Sequence, residues 1–209
     1  MKVLILGAAG GVGRLLVEQA LDRGHAVTAF VRNAATVQQR EGLSLAEGDV
    51  LDERALARAV PEHDAVVMTI GVNSTGPTTL FSESTRKLIP VMAREGVRRL
   101  VCITGIGAGE TKGHGGFFYD RIIYPLFTKH RYKDKELQED LVRRSGLDWT
   151  IVRPAPFTTS EPKSGFQVIT EVGTTVLRKI TRRKVAEFIL EELETSRFVR
   201  QTPFIGHAS

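Results

Sequence analysis

Short apolar, β-branched runs alternate along the chain with stretches whose apolar positions recur at helical spacing. The runs Lys2 to Leu6, Ala26 to Val31, Leu43 to Glu47, Ala65 to Thr69, Arg99 to Thr104 and Trp149 to Arg153 read as strands. Helical patterns lie between them at Gly11 to Arg23, Glu53 to Val60, Ser82 to Glu95 and Tyr132 to Ser145. The strand runs are continuously apolar instead of alternating, which suits strands covered on both faces. Strand and helix in regular succession predict βαβ units, hence an α/β fold with a doubly wound parallel sheet. Gly24, Gly96 and Gly146 fall where helix C-termini want a left-handed residue. After Pro154 the pattern loosens: a strand at Phe166 to Thr170, a helix with Thr181 as N-cap and a closing apolar run at Pro203 to Ile205 predict a small C-terminal substrate or lid region.

Composition narrows this picture. The chain has 209 residues with a formal net charge of +5, a length that suits one domain spanning residues 1–209. Cys102 is the single cysteine; a disulfide framework is therefore excluded, and a reducing, cytoplasmic setting is expected. The apolar start meets glycines within a few residues and lacks the apolar core of a signal peptide. No run reaches the ~18 apolar residues of a membrane span. A small excess of positive charge spread over this length points to a solvated surface, and neither nucleic acid nor membrane is expected as a partner.

The strongest local signal is Gly7-Ala8-Ala9-Gly10-Gly11-Val12-Gly13, directly after the first strand and opening the first helix. Glycines at this junction allow a tight turn and close backbone approach, with helix N–H groups aimed at a diphosphate. About 20 residues on, where an NAD-selective site places an acid on the ribose 2′-hydroxyl, the chain has Arg32. A guanidinium there suits a 2′-phosphate, so NADP(H) is favoured over NAD(H). Asp49 and Val50 follow the third strand, where the carboxylate either accepts from the adenine amine or caps the next helix. Ile70, Gly71 and Val72 follow the fourth, either as a cofactor-facing segment or as a plain turn.

Together GAAGGVG, Val31-Arg32, Gly48 to Val50, CITG at Cys102 to Gly105 and RRSGLDWTIVRPAPF at Arg143 to Phe157 resemble the atypical short-chain dehydrogenase/reductase superfamily. Within it the chain is similar to the NAD(P)-binding NmrA-like group and its flavin reductase-like members. The resemblance implies a Rossmann-type fold with hydride transfer at the ends of the fourth to sixth strands. It implies that the Thr104 hydroxyl orients or polarises beside the nicotinamide, that Lys135 reaches the ribose hydroxyls, and that the backbone of Pro154, Ala155, Pro156 and Phe157 meets the carboxamide. Plain alternatives stand beside these: a threonine finishing a strand, a solvated helix lysine, a proline ending a strand.

Three departures qualify the resemblance. The superfamily's usual acid is a tyrosine four residues before a lysine, yet Arg131 precedes Lys135 at that distance and Tyr132 is displaced by one. Thr36 replaces a second basic residue at the 2′-phosphate rim. Lys184 replaces an acid at the last helix start, where Arg178, Lys179, Arg182, Arg183 and Lys184 crowd five cations into seven residues. They form either an acidic-ligand or partner site or a solvated face.

Between the fifth strand and the next helix, Gly105 to Arg131 holds six glycines followed by Phe117, Phe118, Tyr119, Tyr124 and Phe127. This reads as a lid with an aromatic floor for a planar acceptor, or as a satellite core or dimer contact. The five histidines show no metal-ligand spacing, and Cys102 sits mid-strand as core filling. The expected function is NADPH-dependent reduction of a small planar acceptor such as a flavin or quinone, by a monomer or homodimer. A non-catalytic NADP(H)-sensing regulator is the alternative, and a nucleotide-sugar epimerase or dehydratase relative a weaker one.

Overall fold

A computed structural model describes residues 1–72, 76–105, 129–160, 165–171 and 177–208, with the side chains of 129–132 and 208 left out. The strands in chain order are β1 (Lys2–Leu6), β2 (Ala26–Val31), β3 (Leu43–Glu47), β4 (Ala65–Met68), β5 (Arg99–Ile103), β6 (Asp148–Pro154), β7 (Phe157–Thr158), β8 (Phe166–Ile169), β9 (Leu177–Thr181) and β10 (Phe204–Ala208). The helices are α1 (Gly11–Asp22), α2 (Glu53–Ala59), α3 (Leu80–Arg94), α4 (Lys129–Arg143) and α5 (Arg182–Thr195). β1, β2 and β3 keep the limits expected from the sequence. The starts of α3 and α4 lie two and three residues earlier than expected, and β7 and β9 were not foreseen.

The sheet runs β3-β2-β1-β4-β5-β6-β10-β9-β7, with β8 on β10. From β3 to β6 every pairing is parallel. β10 is parallel to β6 and antiparallel to β8 and β9, which closes the C-terminal edge. Strand order reverses between β1 and β4, so the crevice above their carboxyl ends is the switch point where ligands bind in open α/β sheets.

Two apolar layers hold the sheet. Val12, Leu16, Val17 and Ala20 of α1 meet Val185, Ile189 and Leu193 of α5 on one face. On the other, Leu56, Leu88, Met92 and Val142 cover Leu4, Val66, Leu100 and Ile151. α1 ends at Gly24 with φ +77°, and Gly96 and Gly146 close α3 and α4 with φ +72° and +70°, as their spacing predicts.

Two buried carboxylates tie helices to their neighbours. Glu192 of α5 accepts from Arg99 of β5 at 2.6 Å, Thr150 of β6 at 2.9 Å and the Phe198 amide at 3.0 Å. Asp134 of α4 accepts the amide of Phe81 at 2.9 Å and the Ser82 hydroxyl. It thereby caps α3, whose own N-cap Thr79 makes no side-chain bond. Among the described residues no helix is long and apolar enough to cross a membrane.

Candidate functional site

The glycine motif forms a closed turn: Gly10 donates its amide to Gly7 O at 2.9 Å, and Thr69 Oγ1 donates to Leu6 O at 3.0 Å and Gly7 O at 3.1 Å. Thr69, which sequence reasoning did not single out, thus locks the loop to the end of β4. Gly7 has φ +83°, and a Cβ there would stand 3.0 Å from the Ile70 amide nitrogen. A Cβ on Gly13 would reach 2.8 Å from both Ala8 Cα and Thr69 Oγ1, and still closer to Gly7 O. Both glycines are therefore dictated by backbone packing. The N-cap of α1, Gly10, offers no side-chain acceptor, and the first turn carries no acid. Its leading N–H groups, around exposed Ala9, Gly10 and Gly11 and buried Val12, suit an anion.

Arg32 is exposed immediately after β2 and, among the described residues, makes no ion pair. The next residue, Asn33, caps a short turn by accepting the Ala35 amide at 2.9 Å. Asp49 is exposed and accepts the Leu51 amide at 2.8 Å. The expectation that it caps the next helix is corrected, because Asp52 caps α2 by accepting the Arg54 amide at 2.9 Å. Val50 and Ile70 each pack partly on the core. Gly71 is exposed with nothing within 4 Å of its would-be Cβ, and Val72 closes this described stretch.

At the end of β5, Thr104 is 5% exposed and donates its hydroxyl to Glu139 Oε1 at 2.6 Å. Glu139, which sequence reasoning missed, is 1% exposed. It accepts from Arg153 Nε at 3.0 Å and Nη2 at 2.6 Å, and from Arg143 Nη2 at 2.9 Å. A carboxylate held by two guanidiniums in this way is a fixed acceptor. Lys135, one turn earlier on α4, donates to the carbonyls of Ile103 and Thr104 and lies 4.8 Å from the Phe81 ring centroid. The solvated-lysine alternative is corrected: this ammonium is half-buried against the end of β5. Cys102, beneath these groups, has its thiol pushed up to about 12 by burial and by the Glu139 charge, so it is inert core.

Pro154 ends β6, and Ala155 donates to Ile205 O at 2.9 Å. Pro156 O accepts the Ile180 amide at 3.1 Å, while Phe157 is 42% exposed with Arg182 Cζ 4.7 Å above its ring. Arg182 also fills the space beside Gly11, where a Cβ would come within 2.9 Å of its Nε. Of the five-cation cluster, Arg182, Arg183 and Lys184 open α5. Arg178 and Lys179 lie on β9, and Lys184 pairs with Glu187 at 2.8 Å. Thr181 caps α5 as expected, accepting the Lys184 amide at 3.3 Å.

Most of the lid segment, with Phe117, Phe118, Tyr119, Tyr124 and Phe127, lies outside the described residues, as do the side chains of Arg131 and Tyr132. Among the described residues no group of three His, Cys, Asp or Glu side chains could hold a metal ion.

A profile of the NAD(P)H-binding family matches residues 7–196. The uncharacterized protein YwnB of Bacillus subtilis (strain 168) is 31% identical over 167 residues, 75% of this chain and 73% of YwnB. ChuY, an anaerobillin reductase from Escherichia coli O157:H7, superposes with TM-score 0.82 at 21% identity, covering 99% of this chain and 97% of ChuY. A wide-type short-chain dehydrogenase/reductase from Veillonella parvula DSM 2008, solved with NADP, gives TM-score 0.82 at 18% identity over 99% and 94% of the two chains.

Proposed function

Because the chain belongs to the NAD(P)H-binding family, we propose that it is an NADPH-dependent reductase of a small planar acceptor such as a flavin or quinone. The supporting observation is convergence on one sheet edge. The glycine cradle after β1, exposed Arg32 after β2 and buried Thr104 after β5 all stand at carboxyl ends around the switch point. The reductase and the NADP complex among the structural neighbours agree with this reading without carrying it.

Bound NADPH supplies the hydride. The open N-terminus of α1 binds the diphosphate through backbone N–H groups, and Arg32 selects the 2′-phosphate by charge-assisted hydrogen bonds. Asp49 and Val50 would flank the adenine, and the segment Ile70, Gly71, Val72 would border the dinucleotide. Lys135 reaches the ribose hydroxyls from its seat on β5, and the Pro154 to Phe157 backbone lines the carboxamide side. Thr104, at the end of β5, would stand beside the reacting ring and orient what lies there.

Mixing the protein with NADPH or NADH and a panel of flavins and quinones, followed at the reduced-nicotinamide absorbance, tests this reading. NADPH oxidation above background with at least one acceptor is expected, with NADH much poorer. Tight NADPH binding with no oxidation by any acceptor would overturn it in favour of an NADP(H)-responsive regulator, the reading that Arg131 in the usual tyrosine position motivates.

A further inference from the structure

The polarity of the Thr104 hydroxyl carries a conclusion about the acceptor. Its proton is committed to Glu139 Oε1 at 2.6 Å. Glu139 cannot return a proton, because its two oxygens already accept three guanidinium N–H bonds from Arg153 and Arg143. The backbone on either side is fixed as well: the Thr104 amide donates to Val152 O at 2.9 Å, and its carbonyl holds Lys135. What Thr104 Oγ1 retains is lone-pair capacity. A ligand carbonyl placed against it would meet an acceptor, or would have to take the proton from a buried carboxylate.

We infer that Glu139 is a positioning residue that fixes Thr104 as a hydrogen-bond acceptor, so that the site selects planar heterocycles presenting a ring N–H over quinones, whose polar groups only accept. The inference rests on the proposed acceptor site lying at Thr104, and it narrows the acceptor class. It also assigns Thr104 an orienting role and not that of a proton donor.

Oxidised lumiflavin carries one ring N–H, and its N3-methyl derivative carries none, so the two form the probe pair. Their dissociation constants are measured by flavin fluorescence in the presence of NADP+. The wild type is expected to bind lumiflavin about tenfold more tightly, the factor of roughly one net hydrogen bond. Thr104→Val, which leaves Glu139 and both arginines in place, is expected to bring the ratio close to one, and Thr104→Ser to retain it. Glu139→Gln is expected to reduce or invert it. Two arginine bonds at Oε2 against one from Arg153 Nε at Oε1 favour the amide oxygen at the Oε2 position and turn the NH2 toward Thr104, whose proton is then released toward the ligand at the cost of the Arg153 Nε bond.

A wild-type ratio near one, or the wild-type ratio persisting in both Thr104→Val and Glu139→Gln, overturns the inference. So does failure of either flavin to bind while quinones oxidise NADPH, a result that leaves the reductase reading standing. A Thr104-dependent ratio without any NADPH oxidation supports the inference and sinks the reductase reading instead.

Discussion

Substituting alanine at two neighbouring glycines separates backbone-dictated packing from mere turn composition. At Gly13 an added Cβ meets Ala8 Cα and Thr69 Oγ1 at 2.8 Å and presses harder on Gly7 O. Two of these three atoms are backbone, and the third is locked by bonds to Leu6 O and Gly7 O. None can rotate away. Overpacking of this kind costs ~1–3 kcal/mol or somewhat more, against ~1 kcal/mol gained from alanine's helix propensity. At Gly11 the nearest atom is Nε of exposed Arg182, at 2.9 Å, which swings aside at little cost. Gly11→Ala is therefore expected at wild-type stability or up to ~1 kcal/mol above it, and Gly13→Ala, with its cost at the upper end of that range, about 2 kcal/mol below it. In urea titrations without cofactor this is a clear midpoint shift, and in heating experiments roughly 4–8 °C at this chain length. NADPH affinity should fall at least about tenfold in Gly13→Ala, since the displaced atoms build the cradle. Equal stability and equal NADPH affinity of the two variants would refute the packing argument.

Other consequences follow from the same geometry. Arg32→Ala should weaken NADPH binding by about 1.5–3 kcal/mol, the range for hydrogen bonds to a charged group, and leave NADH binding unchanged; titration calorimetry with both cofactors checks this, and equal losses would contradict a 2′-phosphate role. Cys102 should resist iodoacetamide at pH 8 in the folded protein and react only after denaturation, because its thiol is pushed up to about 12; mass spectrometry of the native labelled protein reads the outcome. Burial raises the Glu194 carboxyl, but the His25 hydrogen bond and Arg23 outweigh it and hold the group below its ordinary value. Its contribution is therefore complete above the ordinary carboxylate range and lost as pH falls through its lower folded value. The group is partly exposed, so Glu194→Gln should remove only a few tenths of a kcal/mol at pH 7, and progressively less as pH falls through the lowered folded value.

The parallel core was legible because its signals are local. Continuous apolar runs mark β1, β2, β4 and β5, and each helix-ending glycine with positive φ stands where the chain must reverse. β7 and β9 were missed because two to five residues with mixed burial, such as Leu177–Thr181, carry no period of their own; pairing with each other, and of β9 with β10, makes them strands. Thr69 and Glu139 were missed for a different reason. Each acts through a partner distant in sequence, Gly7 in one case and Thr104 with Arg153 in the other. A signal for Glu139 existed: Arg153 lies in the apolar run of β6, and a buried arginine demands a carboxylate. Lys135, Glu139 and Arg143 follow at four-residue spacing, which puts them on one face of α4. In the cation cluster Arg178, Lys179, Arg182 and Arg183 are exposed, in line with the solvated-face alternative, and strand and helix meet at Thr181 inside it.

The most direct test of the reductase account is a single-turnover mixing experiment in which protein loaded with NADPH deuterated at the transferred C4 position meets a flavin, beside the undeuterated cofactor. Loss of the reduced-nicotinamide absorbance coupled to flavin bleaching, slower with deuterium, is expected. Retention of that absorbance on the timescale of the protein-free control, with NADPH demonstrably bound, would contradict it.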